Sequence, residues 1–261
     1  MDSRRLPVSF HGQRGTSPEG NQLKTQSGST TPLIGILGGM GPAATVDFYS
    51  KLIEATPASG DQGHLRVMIW ADPTIPDRSA AIAGDGEDPT PKLVAGAQQL
   101  ADAGAEFYIV TCNGAHAFLP KVREHVDLDY LSIIDVTAAH VSALPYVKKA
   151  GLLATDATLT AGLYQDALLA EDVAPVVPSD EDQHVVMETI YAVKAKALRP
   201  ELTQALGKVT ERLCEQGADV IVSACTEIPL ALTAEESPRP LIDPALLLAN
   251  EVVNEAAARA R

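Results

Sequence analysis

The hydrophobic positions of this chain change period again and again. From Pro32 onward, short β-type runs alternate with stretches of helical spacing. Leu33-Ile34-Gly35-Ile36-Leu37 breaks into Gly38-Gly39-Met40-Gly41-Pro42, and Ala43 to Ala55 then carries Val46, Tyr49, Leu52 and Ile53 at helical spacing. That order predicts a strand, a glycine turn and a helix. Leu65 to Ala71 predicts a second strand ending at Asp72-Pro73, a loop through Pro76-Asp77-Arg78 leads to a helix over 91–103, and the apolar run Ala105 to Val110 predicts a third strand. Further strands are predicted over 130–134, 150–154, 173–177 and 220–224, with a possible short one at 240–242; helices over 136–144, 162–169, 181–197, 202–216 and 245–258 lie between or after them. Residues 1–31 have scattered apolar positions without a period. Such a segment is expected to be a disordered tail, because it buries too little surface to offset its ordering entropy.

Repeated strand-helix units predict an α/β fold: two similar Rossmann-like α/β domains with parallel sheets, covered on both faces, and a cleft between them. The expected division is a first domain of 32–130 plus 239–261 and a second of 131–238, the C-terminal helix packing back on the first. In open parallel sheets, ligands sit beyond the carboxyl ends of the strands. Two turns fall there. Thr111-Cys112-Asn113-Gly114-Ala115-His116 follows one apolar run, and Ser223-Ala224-Cys225-Thr226-Glu227-Ile228-Pro229 follows another.

Composition narrows the function classes. At 261 residues and 46% hydrophobic content the chain can bury a large core, and no apolar run is long enough to span a bilayer. A net charge of −14 and a pI near 4.8 repel phosphate backbones and anionic lipid, so nucleic-acid and membrane-surface roles are excluded. Three cysteines cannot all pair within one chain, no secretory signal is visible, and no CxxC is present. The expectation is free thiols in a reducing cytoplasm and no metal site.

Removing an α-proton from an amino acid and returning it on the other face requires two groups on opposite sides of one carbon, one basic while the other is acidic. Thiols can do this when neighbours tune them, and a helix N-terminus beyond the strand favours thiolate. A lone cysteine after an apolar strand is ordinarily a small buried hydrophobe. The matched contexts of Cys112 and Cys225 favour the pair as catalytic, whereas Cys214, inside a helix beside Leu213, reads as structural. His116 either tunes the Cys112 thiol or is a half-buried imidazole with its bonds satisfied. Glu227 either orients the site or is a solvated carboxylate at a helix start. Donors for an α-carboxylate are expected from Asn113, Gly114 and Thr226, and cations for an acidic side chain from Arg78 and Lys194. The alternative for each cation is a plain surface charge. Gly39-x-Gly41-x-x-Ala44, with Asp72 ending the next strand, is a weak match to a dinucleotide fingerprint: Pro42 interrupts it and Asp72 lies too far on.

Taken together, Ile34-Gly35-Ile36-Leu37-Gly38-Gly39-Met40-Gly41-Pro42, Ile75-Pro76-Asp77-Arg78-Ser79 with Gly86-Glu87-Asp88-Pro89, the Cys112-Asn113 turn and Cys225-Thr226-Glu227-Ile228-Pro229-Leu230 resemble the aspartate/glutamate racemase family. Glutamate rather than histidine after Cys225-Thr226 makes the chain most similar to the aspartate racemase branch. The resemblance implies a cofactor-independent racemase acting on a small amino acid, usually a homodimer, with Cys112 and Cys225 as the acid/base pair. It also implies substrate contacts from Met40, Arg78, Asn113, Gly114, Lys194, Thr226 and Glu227. Gly114 stands where the family usually has threonine, which removes a hydroxyl beside the substrate. Two other readings stand beside this one: a related thiol-dependent isomerase or decarboxylase of another carboxylate, and a non-catalytic protein that binds an acidic metabolite.

Overall fold

The computed structural model describes residues 31–260. The tail expected over 1–31 therefore lies, but for its last residue, outside the described residues. The first half begins with β1 (Leu33–Gly38), α1 (Pro42–Ala55) and β2 (Arg66–Ala71). It continues through α2 (Arg78–Ala83), α3 (Thr90–Asp102), β3 (Phe107–Val110), α4 (Leu119–Arg123) and β4 (Tyr130–Leu131). The second runs through α5 (Ile133–Ser142), β5 (Lys149–Leu152), α6 (Asp156–Thr160), α7 (Leu163–Ala170) and β6 (Ala174–Val176). It ends with α8 (Asp180–Lys194), α9 (Pro200–Glu215), β7 (Val220–Val222), β8 (Leu241–Ile242) and α10 (Pro244–Arg259).

All pairings are parallel, in two four-stranded sheets ordered β2-β1-β3-β4 and β6-β5-β7-β8. The halves thus repeat one topology, and β3 and β7, the strands that lead to the two cysteines, hold equivalent inner positions. Both are buried along their whole length, as strands covered by helices on both faces must be.

Several expected boundaries shift for local reasons. The strand expected over 130–134 stops at Leu131 because Ser132 caps the next helix, its side chain accepting from the Asp135 N–H. Arg78 is not in a loop; Asp77 caps a short helix there by accepting from the Ala80 N–H. Gly162, expected inside a helix, precedes α7 with φ of 68°.

The C-terminal segment divides between the halves. Strand β8 pairs with β7 in the second sheet, whereas residues 239–261 were expected with the first half. Helix α10 packs against α1 and α5. Asp243 caps it by accepting from the Ala245 N–H at 2.9 Å and also pairs with Lys51 of α1 at 2.9 Å. At its far end Arg259 lies over the Phe107 ring, 4.8 Å from the centroid, and donates to the Glu106 carbonyl.

Candidate active site

The first wall of the site is the glycine turn. Gly39 has φ of 91°, and a Cβ there would meet the Asp72 backbone at 2.5 Å, so the close approach of β1 and β2 at their carboxyl ends requires glycine. The Thr45 hydroxyl of α1 accepts from the Gly39 N–H at 2.9 Å and lies 3.2 Å from the Thr111 hydroxyl. The turn is thereby tied to the residue preceding Cys112. These contacts account for Gly39 without a nucleotide, and the Asp72 carboxylate is occupied by the Thr74 N–H and hydroxyl.

One narrow cavity between the halves is lined by Cys112, Asn113 and Gly114 from the first cysteine turn and by Cys225, Thr226 and Glu227 from the second. Met40, Arg78 and Lys194 complete the expected set around it. Its volume of about 30 Å³ holds about two waters. A wider vestibule of about 730 Å³ adjoins it, sharing Met40, Asp77, Arg78, Lys194 and Glu227.

The two turns differ in their chemistry. Cys225 is buried, and its Sγ donates to Glu227 Oε2 at 3.0 Å. Burial first, and the Glu227 charge second, push this thiol well above its ordinary range. A thiolate favoured by a helix N-terminus, as expected from the sequence, is therefore not what the second turn provides; only a single 3₁₀ turn, Ile228–Leu230, follows it. Cys112 is only half-buried. Lys194, the last residue of α8, loses some of its preference for charge to burial, but Glu227 and then the two cysteines outweigh this and hold its pKa above the usual lysine value.

His116 does not line the cavity. It is buried in the 3₁₀ turn Gly114–Ala117, where Nδ1 donates to the Cys112 carbonyl at 3.0 Å and Nε2 accepts from the Ile133 N–H at 3.4 Å. Burial holds its pKa down to about 4. Of the two readings given to His116, the satisfied imidazole is the one found: it braces the backbone of Cys112 and does not face the thiol.

The Arg78 guanidinium is partly committed. Nη1 donates to the Ile75 and Pro76 carbonyls at 3.1 and 2.9 Å, and Nη2 donates to the Met40 carbonyl at 3.2 Å. Its Nε is buried without a partner, as is Asn113 Nδ2. Both residues line the cavity, and each of these two atoms is a donor left over from the contacts within the chain.

Reasoning from the sequence missed Asp77, Ser79, Thr155, Thr158 and Ala224, which also line the cavity. The rule that located the cysteines reaches the two threonines as well, since they stand just beyond the carboxyl end of β5. Their hydroxyls lie 2.9 Å apart. Among the described residues no group of three or more His, Cys, Asp or Glu side chains is arranged to hold a metal ion, and no helix is long and apolar enough to cross a membrane.

Several known proteins are similar to this chain over most of its length. The broad specificity amino-acid racemase RacX of Bacillus subtilis is 31% identical over 229 residues, which is 85% of this chain and 97% of that protein. The solved aspartate racemase of Picrophilus torridus superposes with a TM-score of 0.77 at 31% identity, covering 88% of this chain and 95% of its own. An aspartate racemase homologue from Pyrococcus horikoshii shares the fold, with a TM-score of 0.70 at 24% identity over 87% of this chain and 99% of its own. The Asp/Glu/hydantoin racemase profile matches residues 37–252. Two parallel sheets, each with a cysteine turn beyond one of its inner strands, and these matches over most of the chain lead to one conclusion: the chain belongs to the Asp/Glu/hydantoin racemase family and is an amino-acid racemase.

Proposed function

We propose that this racemase acts on an acidic amino acid, with aspartate its preferred substrate, and that Cys112 and Cys225 are its alternating acid and base. What carries the choice of substrate is the pair of unmatched donors, Arg78 Nε and Asn113 Nδ2, with the Lys194 ammonium beside them. A dicarboxylate brings one group to each: the α-carboxylate to Asn113 and Thr226, the distal carboxylate to Arg78 and Lys194. In the resting enzyme Cys225 is the protonated partner, since its thiol is buried and bonded to Glu227. Cys112, once it has given up its proton, takes the α-proton; the C–H bond breaks and an S–H bond forms. Cys225 then gives its own proton to the opposite face of the same carbon, and the two thiols have exchanged states. No cofactor enters this sequence. By resemblance to its family the enzyme works as a cytoplasmic homodimer, an assembly that sedimentation would check.

The test is incubation of each enantiomer of aspartate and glutamate in deuterium oxide without added cofactor. Racemisation with α-deuterium incorporation is expected, fastest for aspartate; neither event with any acidic amino acid overturns the substrate assignment. Arg78→Ala is expected to lower kcat/KM for aspartate by about tenfold to a hundredfold, the range for a lost bond to a charged group. A second reading is favoured by the vestibule. It adjoins the Arg78 and Lys194 end of the cavity and would receive side chains longer than that of aspartate, which suits a broader amino-acid range such as the name of RacX describes.

A further inference from the structure

Asn113 stands directly after Cys112, and the two ends of its side-chain amide have different surroundings. Oδ1 accepts the Tyr164 hydroxyl at 2.6 Å, while Nδ2 has no partner. Tyr164 does not line the cavity. It lies behind the wall on α7 of the second half, with none of its surface exposed, and Asn113 is 3% exposed. The bond therefore crosses between the halves, 51 residues apart in sequence, and ends on the residue next to a cysteine.

We propose that Tyr164 is a positioning residue for the reaction: its hydroxyl fixes the Asn113 amide with the oxygen turned to the phenol and the nitrogen left for the substrate carboxylate. An asparagine amide without such a partner can turn over, because its two ends are nearly identical in shape but opposite in hydrogen-bonding sense. A carboxylate needs the donor end. Burial pushes the Tyr164 phenol above its ordinary range, so it keeps its proton and acts as a donor across the whole working pH range. Donation to Oδ1 satisfies a buried hydroxyl and orients the amide in one contact. Donor and acceptor come from different halves, so the amide is set by the packing of one half against the other, in the buried core that holds Tyr164. This inference rests on the acidic-substrate reading for its consequence, though not for its geometry.

The experiment compares wild type, Tyr164→Phe, Asn113→Ala and the double variant. Phenylalanine keeps the ring packing and removes only the hydroxyl. For aspartate, Tyr164→Phe is expected to raise KM about tenfold while kcat changes less than about threefold, the pattern of lost uniform binding. The melting temperature should stay within a few degrees of wild type. In the Asn113→Ala background the same change is expected to add less than about twofold, because the amide it orients is gone. Full multiplication of the two effects, or a fall in kcat at constant KM, overturns the assignment. Should wild type racemise no acidic amino acid, the substrate reading fails on that result alone. Crystal structures of wild type and Tyr164→Phe then decide the positioning role: a turned or disordered Asn113 amide in the variant supports it, and an unchanged one overturns it.

Discussion

The two cysteine turns occupy equivalent places in two copies of one topology, yet they are built oppositely. Behind Cys112 stands a neutral imidazole that bonds only to backbone, and the thiol itself is half-buried. Beside Cys225 stands a buried carboxylate that takes the thiol's own hydrogen. A symmetric fold supplies two thiols at the ends of matching strands, but symmetry alone cannot supply an acid facing a base. On the proposed mechanism the second turn holds the acid, and what sets it apart is the Glu227 carboxylate beside the thiol, a side chain that the topology does not dictate.

The strongest way to break the comparison is to remove the thiols one at a time. Cys112→Ala and Cys225→Ala are each expected to lower racemisation by about a hundredfold or more in both directions, the scale of a lost acid/base group. The residual α-deuterium exchange should differ between them. Each variant keeps one base on one face, so each should exchange only one enantiomer, and the two should choose opposite ones. Chiral chromatography and mass spectrometry of recovered aspartate read both quantities; the same enantiomer surviving in both variants would show that the thiols do not face each other.

Glu227→Gln sharpens the second turn. Glutamine keeps an acceptor for the thiol but loses the charge that helps hold Cys225 protonated. The Cys225 pKa should move down toward the ordinary thiol value, and each unit of movement gives about tenfold more thiolate at a fixed pH. Alkylation by iodoacetamide, followed peptide by peptide across pH, should therefore begin at lower pH for Cys225 in the variant. An unchanged Cys225 profile would mean that burial alone sets it.

For the first turn the test is one of stability. His116 in the folded chain titrates near 4 against an ordinary value of 6.5, so the unfolded chain binds the proton first. Its contribution is complete above about pH 6.5 and is lost as pH falls toward 4, on the order of 3 kcal/mol in all. Denaturation curves between those limits should be steeper in pH for wild type than for His116→Gln, which cannot titrate. Equal slopes would remove the imidazole from the account.

Much of this was legible in the sequence, and the reason is physical. Strand ends in parallel sheets place their following loops at the ligand cleft, so two cysteines after two apolar runs already point to one site. Arg78 and Lys194 needed the resemblance as well, since nothing local separates a ligand cation from a surface charge. What escaped was orientation. Whether His116 faces the thiol or the backbone, and whether Asn113 shows its oxygen or its nitrogen, depends on Ile133 and Tyr164, which reach the turn only through folding. The path of the C-terminal segment escaped for a similar reason. Two residues of β8 decide which sheet it joins, and a strand that short leaves almost no periodic signal.

The smallest expected effect concerns Gly114, where the first turn departs from its family. A Cβ at this position would meet Arg78 Cβ and Thr158 Oγ1, both at 3.7 Å, which is ordinary contact. Nothing steric therefore demands glycine, and its neighbours in the 3₁₀ turn tolerate a side chain. Gly114→Thr should fold with little change in stability. It restores a hydroxyl beside Asn113 and the cavity, and a bond gained there in exchange for one to water is worth about 0.5–1.5 kcal/mol, roughly twofold to tenfold in affinity. For aspartate the expected outcome is a KM lower by roughly twofold to tenfold, with kcat nearly constant. A longer substrate would give the opposite result, since the threonine then takes space that the side chain uses beside Arg78. KM values for aspartate and for a panel of longer amino acids, measured on wild type and on this one variant, therefore separate the two substrate readings. A fall for aspartate with a rise for the others favours the tight dicarboxylate site, and a rise for aspartate too means that the glycine makes room this enzyme uses.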